Sequence, residues 1–254
     1  TRIGLSRSVE QVGPLLAMTV GAWLATIVGP RDVFLYLSLA TAVSVMLAFG
    51  LDESAQPARI KKPVARDRIF PRPNSLDMLI FWMGAGIDGV FTVSISLMWA
   101  QYVSTEMAIL FGGSILAARR LSEMLVAPCS GIIADRFGIR LPLTLMIAMA
   151  IAGFAMIGAG LLMQGSVALV LARGALGTLL PAAVARIYPD NKVKALARNQ
   201  TWRDVGAAAG PLATGAGLAF IASEMMHIFV SAAFVLAFCV FVMSPGWRAV
   251  TRAV

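Results

Sequence analysis

The chain has 254 residues, of which 59% are hydrophobic and 13% charged, and its formal net charge is +8. Soluble domains carry about 25% charged residues, and the apolar runs of this chain would in water leave far more apolar surface than one domain can hide. The basic excess does not mark a nucleic-acid partner, because Lys and Arg lie in short segments between apolar runs and form no basic face interleaved with aromatics.

Apolar stretches run over residues 12–28, 33–51, 78–99, 107–133, 141–163, 166–185, 205–223 and 226–243. A membrane-crossing helix needs about 20 such residues, so the expected fold is all-α: a polytopic membrane bundle of about eight transmembrane helices in a lipid bilayer. Barrel strands would be about half as long and would alternate apolar with polar.

The first stretch begins with Gly13, Pro14 and Leu15. After the second comes 52–77, with Pro57, Pro63, Pro71 and Pro73 among Arg59, Lys61, Lys62, Arg66, Arg68 and Arg72. Proline and charge make this a solvated linker. It divides the chain into 1–51, two helices of an incomplete bundle, and 78–254, a six-helix bundle.

Charges fall within three stretches. Asp88 lies near the middle of the third, Arg119, Arg120 and Glu123 in the middle of the fourth, and Arg173 in the sixth. A charge at the bilayer centre costs about 2.5–3.5 kcal/mol, so each needs a partner or a wet cavity. Glu123 stands four residues from Arg119 and three from Arg120, within reach of either on a helix. One carboxylate cannot neutralise both. The spare arginine needs Asp88 or a ligand. Three arginines against two carboxylates favour a small anionic or zwitterionic substrate, with Asp88 or Glu123 as the group for a coupling proton. The same residues also fit an ion-pair network with a structural role only.

The loop after the fourth stretch reads Gly131-Ile-Ile-Ala-Asp135-Arg136-Phe-Gly138-Ile-Arg140. Gly131 allows close helix contact, Gly138 a tight reversal, and Asp135 suits the positive end of a neighbouring helix. The seventh stretch holds Gly206-Ala-Ala-Ala-Gly210-Pro211-Leu-Ala-Thr214-Gly215. Small residues there let backbones approach, and Pro211 bends the helix. In the last stretch His227, beside Glu224, reads as a solvated residue near the outer surface. Cys129 and Cys239 read as small core residues. Trp99 and Tyr102 suit an interfacial aromatic belt. No nucleophile–base set, phosphate loop or clustered metal ligands occur in the sequence, so no enzyme, cofactor or metal is expected.

With a cytoplasmic N-terminus, every one of the 21 Lys and Arg residues falls on the cytoplasmic side except Arg31 and the three arginines within stretches. That asymmetry implies both termini in the cytoplasm and a multi-pass protein of the plasma (inner) membrane.

The loop at Gly131–Arg140 resembles the signature loop of the major facilitator superfamily, G-x-x-x-D-R-x-G-[RK]-[RK], departing from it at Ile139. The Gly206–Gly215 run resembles the G-x-x-x-G-P-x-x-G-G element of the family's exporters, with Thr214 in place of one glycine. The triplet at Gly13 repeats six stretches later at Gly210, as the family's two six-helix halves imply. This register makes the chain similar to helices five to twelve, with the linker between the halves. The resemblance implies a secondary transporter working by alternating access, with Asp88 and Arg173 on cavity-lining helices and the signature loop acting as a cytoplasmic latch. It also implies that four N-terminal helices, or another membrane subunit, complete the cavity. The alternative is a non-transporting subunit or assembly partner.

Overall fold

The computed structural model describes residues 30–49 and 72–251. The described residues fall in two compact units, 30–49 in one and 72–251 in the other. The expected first stretch with Gly13 and Pro14, and the linker up to Pro71, lie outside the described residues. Every described element is a helix: α1 (Pro30–Phe49), α2 (Ser75–Trp99), α3 (Thr105–Phe137), α4 (Arg140–Gly158), α5 (Leu162–Ile187), α6 (Lys192–Gly217), α7 (Ser223–Met243) and α8 (Pro245–Thr251).

Of these, α2, α4, α5 and α7 are long and apolar enough to cross a membrane. The expected eight spans are therefore corrected to four among the described residues. In α3, Arg119, Arg120 and Glu123 sit so near the middle that no stretch of spanning length avoids all of them. In α6 the first half carries Lys192, Lys194, Arg198, Arg203 and Asp204, and the helix ends at Gly217, short of the expected 223. The side chains of α1, in the other unit, are described only in part.

Within the larger unit, α5 packs along α3 and α4, α6 along α2, and α7 along α4 and α2. In their most apolar windows, α2 and α5 are 67% buried, whereas α4 and α7, the more apolar pair, are only 39% buried. The inner helices can carry polar residues because protein surrounds them; the outer pair presents its apolar faces outward, as lipid requires. Phe91, Phe154, Leu169, Leu179, Phe234 and Phe241 are fully enclosed and hold the centre together.

Local chemistry sets the element ends. α2 starts three residues earlier than expected, because Asn74 and Asp77 cap each other: Asp77 N donates to Asn74 Oδ1 at 2.7 Å, and Asn74 N to Asp77 Oδ2 at 3.0 Å. Its middle, Gly84–Phe91, is π-helical. α3 reverses into α4 at Gly138, whose φ of 79° needs a residue without a β-carbon. Gly131 is buried within α3, while Asp135 and Arg136 are exposed on its last turn.

The glycines of α6 bring it onto α2. A β-carbon at Gly206 would strike the Phe81 carbonyl, and one at Gly210 would stand 2.7 Å from Gly89 Cα. Gly215, read with them as a packing residue, faces open space. Pro211 lies inside α6, and Thr214, buried one turn on, donates its hydroxyl to Gly210 O at 2.7 Å.

Two further readings are corrected. His227 is fully buried: Nδ1 lies 2.8 Å from Ser223 O and Nε2 3.3 Å from Ser94 Oγ, with Phe154 beside the ring. Helical rotation, invisible in its polar neighbours, turns it inward. Cys129 and Cys239 are exposed. In a protein with an apolar exterior, apolar neighbours do not mean a core position.

Candidate functional site

The five charged residues singled out within apolar stretches meet in one place. Asp88 is carried by the π-helical segment of α2, Arg119, Arg120 and Glu123 by α3, and Arg173 by α5. α3 approaches α5 closely beside them, since a β-carbon at Gly174 would lie 2.6 Å from Ser122 Oγ. Ser122 in turn donates to Val170 O at 3.0 Å. That contact sets Arg173 next to Glu123.

Asp88 is the tighter centre. Arg173 grips it with two nitrogens, Nε to Oδ1 at 3.0 Å and Nη2 to Oδ2 at 3.3 Å, a two-pronged geometry that only arginine offers a carboxylate. Arg119 Nη2 reaches the same Oδ1 at 3.1 Å. Glu123 is the looser centre, with Arg119 Nε and Arg120 Nη1 both at 3.4 Å and Arg173 Nε at 3.6 Å. Its Oε1, though buried, has hydrogen-bond geometry to none of them. The spare arginine on α3 thus finds Asp88, and Arg173 joins both carboxylates. Arg120 is the most open member, its side chain 32% exposed.

The π-helical segment contributes more than Asp88. The Ile87 carbonyl accepts from Thr92 Oγ1 at 3.0 Å and from Arg119 Nη1 at 3.3 Å. Arg119 Nη1 also donates to Thr92 Oγ1 at 3.0 Å. Irregular helix geometry frees a carbonyl for a side chain, which is why such segments recur at functional sites.

All five residues line a cavity of about 470 Å³ together with Thr92, Gln200 and Arg203. Ile80, Met83, Leu176 and Pro181 supply apolar wall. Arg203 is paired with its neighbour Asp204 at 2.7 Å. The arrangement can hold an anionic group by exchanging it against a carboxylate on an arginine. Among the described residues no three His, Cys, Asp or Glu side chains cluster as metal ligands.

The remaining singled-out residues lie elsewhere. Gly131, Asp135, Arg136, Gly138 and Arg140 belong to the end of α3 and its turn into α4, and Arg140 rests on the Trp247 ring at 5.3 Å. Gly206, Gly210 and Pro211 pack and shape α6 behind the cavity wall.

Sequence reasoning missed Thr92, Gln200 and Arg203. The last two stand three apart on α6, in a segment read as cytoplasmic. It also missed a second buried cluster. Asp77 is bound by Arg198 Nε at 2.7 Å and by Asn199 Nδ2 at 3.1 Å, and Asn74 Nδ2 donates to Tyr188 Oη at 2.8 Å. The Asn-x-x-Asp cap was the signal that could have found it.

Neither a protein-family model nor a curated protein sequence matches this chain.

Proposed function

We propose that this chain forms part of a secondary transporter of the major facilitator type, moving a small anionic or zwitterionic solute across a membrane by alternating access. The observation that carries this reading is the buried network of Asp88, Arg119, Arg120, Glu123 and Arg173 on the wall of an open cavity, within a bundle of apolar helices. Charges at membrane depth mark a substrate or ion path by default. On this reading Arg119, Arg120 and Glu123 of α3 and Arg203 of α6 face the substrate path, while Lys192, Lys194 and Asp204 lie exposed on α6. The six-helix bundle at 78–254 is then one half of the transporter, with both termini in the cytoplasm beneath the inner membrane.

The distances suggest the working cycle. A substrate carboxylate or phosphate takes Arg120 and Arg119 from Glu123, whose contacts are the longest. Asp88 keeps Arg173 in place. Bundle rocking then carries the occupied cavity to the other side.

The test is counterflow of labelled mono- and dicarboxylates in proteoliposomes, with and without a pH gradient, on wild type, Arg120→Gln and Arg173→Gln. The proposal expects saturable counterflow that either substitution lowers by an order of magnitude or more at unchanged abundance, the scale of a lost charged contact. Full activity at normal abundance in both variants would falsify the cavity assignment.

A second reading, a non-transporting subunit or assembly partner, is favoured by one observation. Among the described residues the cavity wall comes from α2, α3, α5 and α6 alone. Under it, the reconstituted chain alone shows no counterflow with any solute, and activity returns only with a second membrane subunit.

A further inference from the structure

We propose that a cleft at the end of the bundle, between the α3–α4 turn and the α7–α8 corner, binds an anionic phospholipid. Its phosphate sits on Arg140 and an acyl chain lies along the cleft. This inference rests on the membrane placement of α4 and α7 and does not depend on transport.

The cleft measures about 610 Å³, and its walls are mainly apolar: Phe137, Leu141, Phe238, Val242 and Trp247. Trp247 is held by edge-on contacts with Phe238 and Phe241 at 6.1 and 5.6 Å. Arg140 lies 5.3 Å from the Trp247 ring centroid and is exposed, so the ring fixes a cation at the cleft mouth. Among the described residues, Arg136, next to Phe137 in sequence, and Arg248, next to Trp247, are exposed as well.

Continuity selects a lipid over a free anion. The apolar wall runs out onto the outer helices through Leu141, 60% exposed, and Leu145 on α4, and through Met243, 84% exposed, on α7. Those two helices are the least buried of the candidate spans. A soluble phosphate gains nothing from that surface, whereas an acyl chain covers it. Tryptophan and arginine at the end of a span sit at headgroup level, and basic pockets between such helices take anionic headgroups.

The experiment uses the full chain in nanodiscs doped with phosphatidylglycerol or phosphatidylcholine carrying a photoreactive acyl chain, with labelled peptides mapped by mass spectrometry. The phosphatidylglycerol probe is expected to label 141–144 and 238–242, and Arg140→Gln to lower that labelling about five-fold, the worth of one basic residue at an anionic surface. Unchanged phosphatidylcholine labelling in the same variant shows that the cleft persists. Leu141→Gln, which alters only the apolar wall, is expected to lower labelling by both lipids. Lys194→Gln, outside the cleft, is expected to change nothing. Equal labelling by the two lipids of wild type, no effect of Arg140→Gln, or an equal loss from Lys194→Gln overturns the proposal. Displacement of the lipid by millimolar glycerol phosphate also overturns it, because the site then takes a free anion.

Discussion

Two glycines of one motif are expected to respond to the same substitution with opposite signs. A β-carbon at Gly210 would stand 2.7 Å from Gly89 Cα and 3.0 Å from the Ala85 carbonyl carbon, both backbone atoms of α2. Carbon atoms rest at about 3.5–4.0 Å, so α2 and α6 must part by about 0.8 Å. Overpacking of this kind costs about 1–3 kcal/mol, and alanine recovers about 1 kcal/mol over glycine in a helix interior. Because the atoms struck are backbone, the upper end of that range applies, and the net loss for Gly210→Ala is about 2 kcal/mol, a fall of several degrees in unfolding midpoint. At Gly215 nothing lies within 4 Å, so only the favourable helix term remains. Gly215→Ala is expected to leave the midpoint unchanged or raise it. Scanning fluorimetry in detergent reads both, with Trp202 near the contact through its 6.4 Å approach to Phe81. Because α2 also carries Asp88, Gly210→Ala draws that carboxylate from Arg173 and is expected to impair transport at temperatures where the fold persists. A fall at Gly215→Ala as large as at Gly210→Ala would show that the α2–α6 contact is not what the motif provides.

The two carboxylates should also separate. Asp88→Asn strips the shorter contacts from two buried arginines and is expected to cost about 3–5 kcal/mol, while Glu123→Gln, with contacts of 3.4–3.6 Å, costs about 1–3 kcal/mol; equal losses in the same unfolding assay refute the ranking. His227→Leu is expected to destabilise by about 1–3 kcal/mol through its lost contacts to Ser223 and Ser94, and a silent substitution would return His227 to a solvated position. Cys239, exposed on α7, is expected to react with a lipid-soluble maleimide in intact vesicles and not with a charged one; fast labelling by the charged reagent would place that face in water.

The sequence made some of this legible and hid the rest for identifiable reasons. Helical spacing alone paired Glu123 with Arg119 and Arg120, since partners on one helix depend only on local geometry. The grip of Arg173 on Asp88 depends on how α2, α3 and α5 pack, and no spacing encodes it. Gly138 showed its turn because a positive φ demands glycine, whereas Gly215 matched a packing pattern without a neighbour to pack on. The start of α2 at Ser75 was hidden because the linker was drawn through to residue 77, across the cap that Asn74 and Asp77 form. The span count failed at α3, where apolarity was averaged over three charged residues near the helix middle, and at α6, where it was read past the charged first half of the helix. Cys239 was misjudged for a related reason. Hydropathy distinguishes inside from outside only when the outside is water.

The π-helical turns of α2 also store rotational slack. A π turn holds more residues than an α turn, so a segment that relaxes to α geometry must swivel the helix beyond it by about 100° for each residue taken up. Downstream of Phe91 lie Thr92, which braces Arg119, and Ser94, which meets His227. A quarter-turn of that end would unhook both at once while Asp77 and the α2 cap stayed fixed. In that geometry one stretch of irregular helix sets the positions of both the Arg119 brace and the His227 contact.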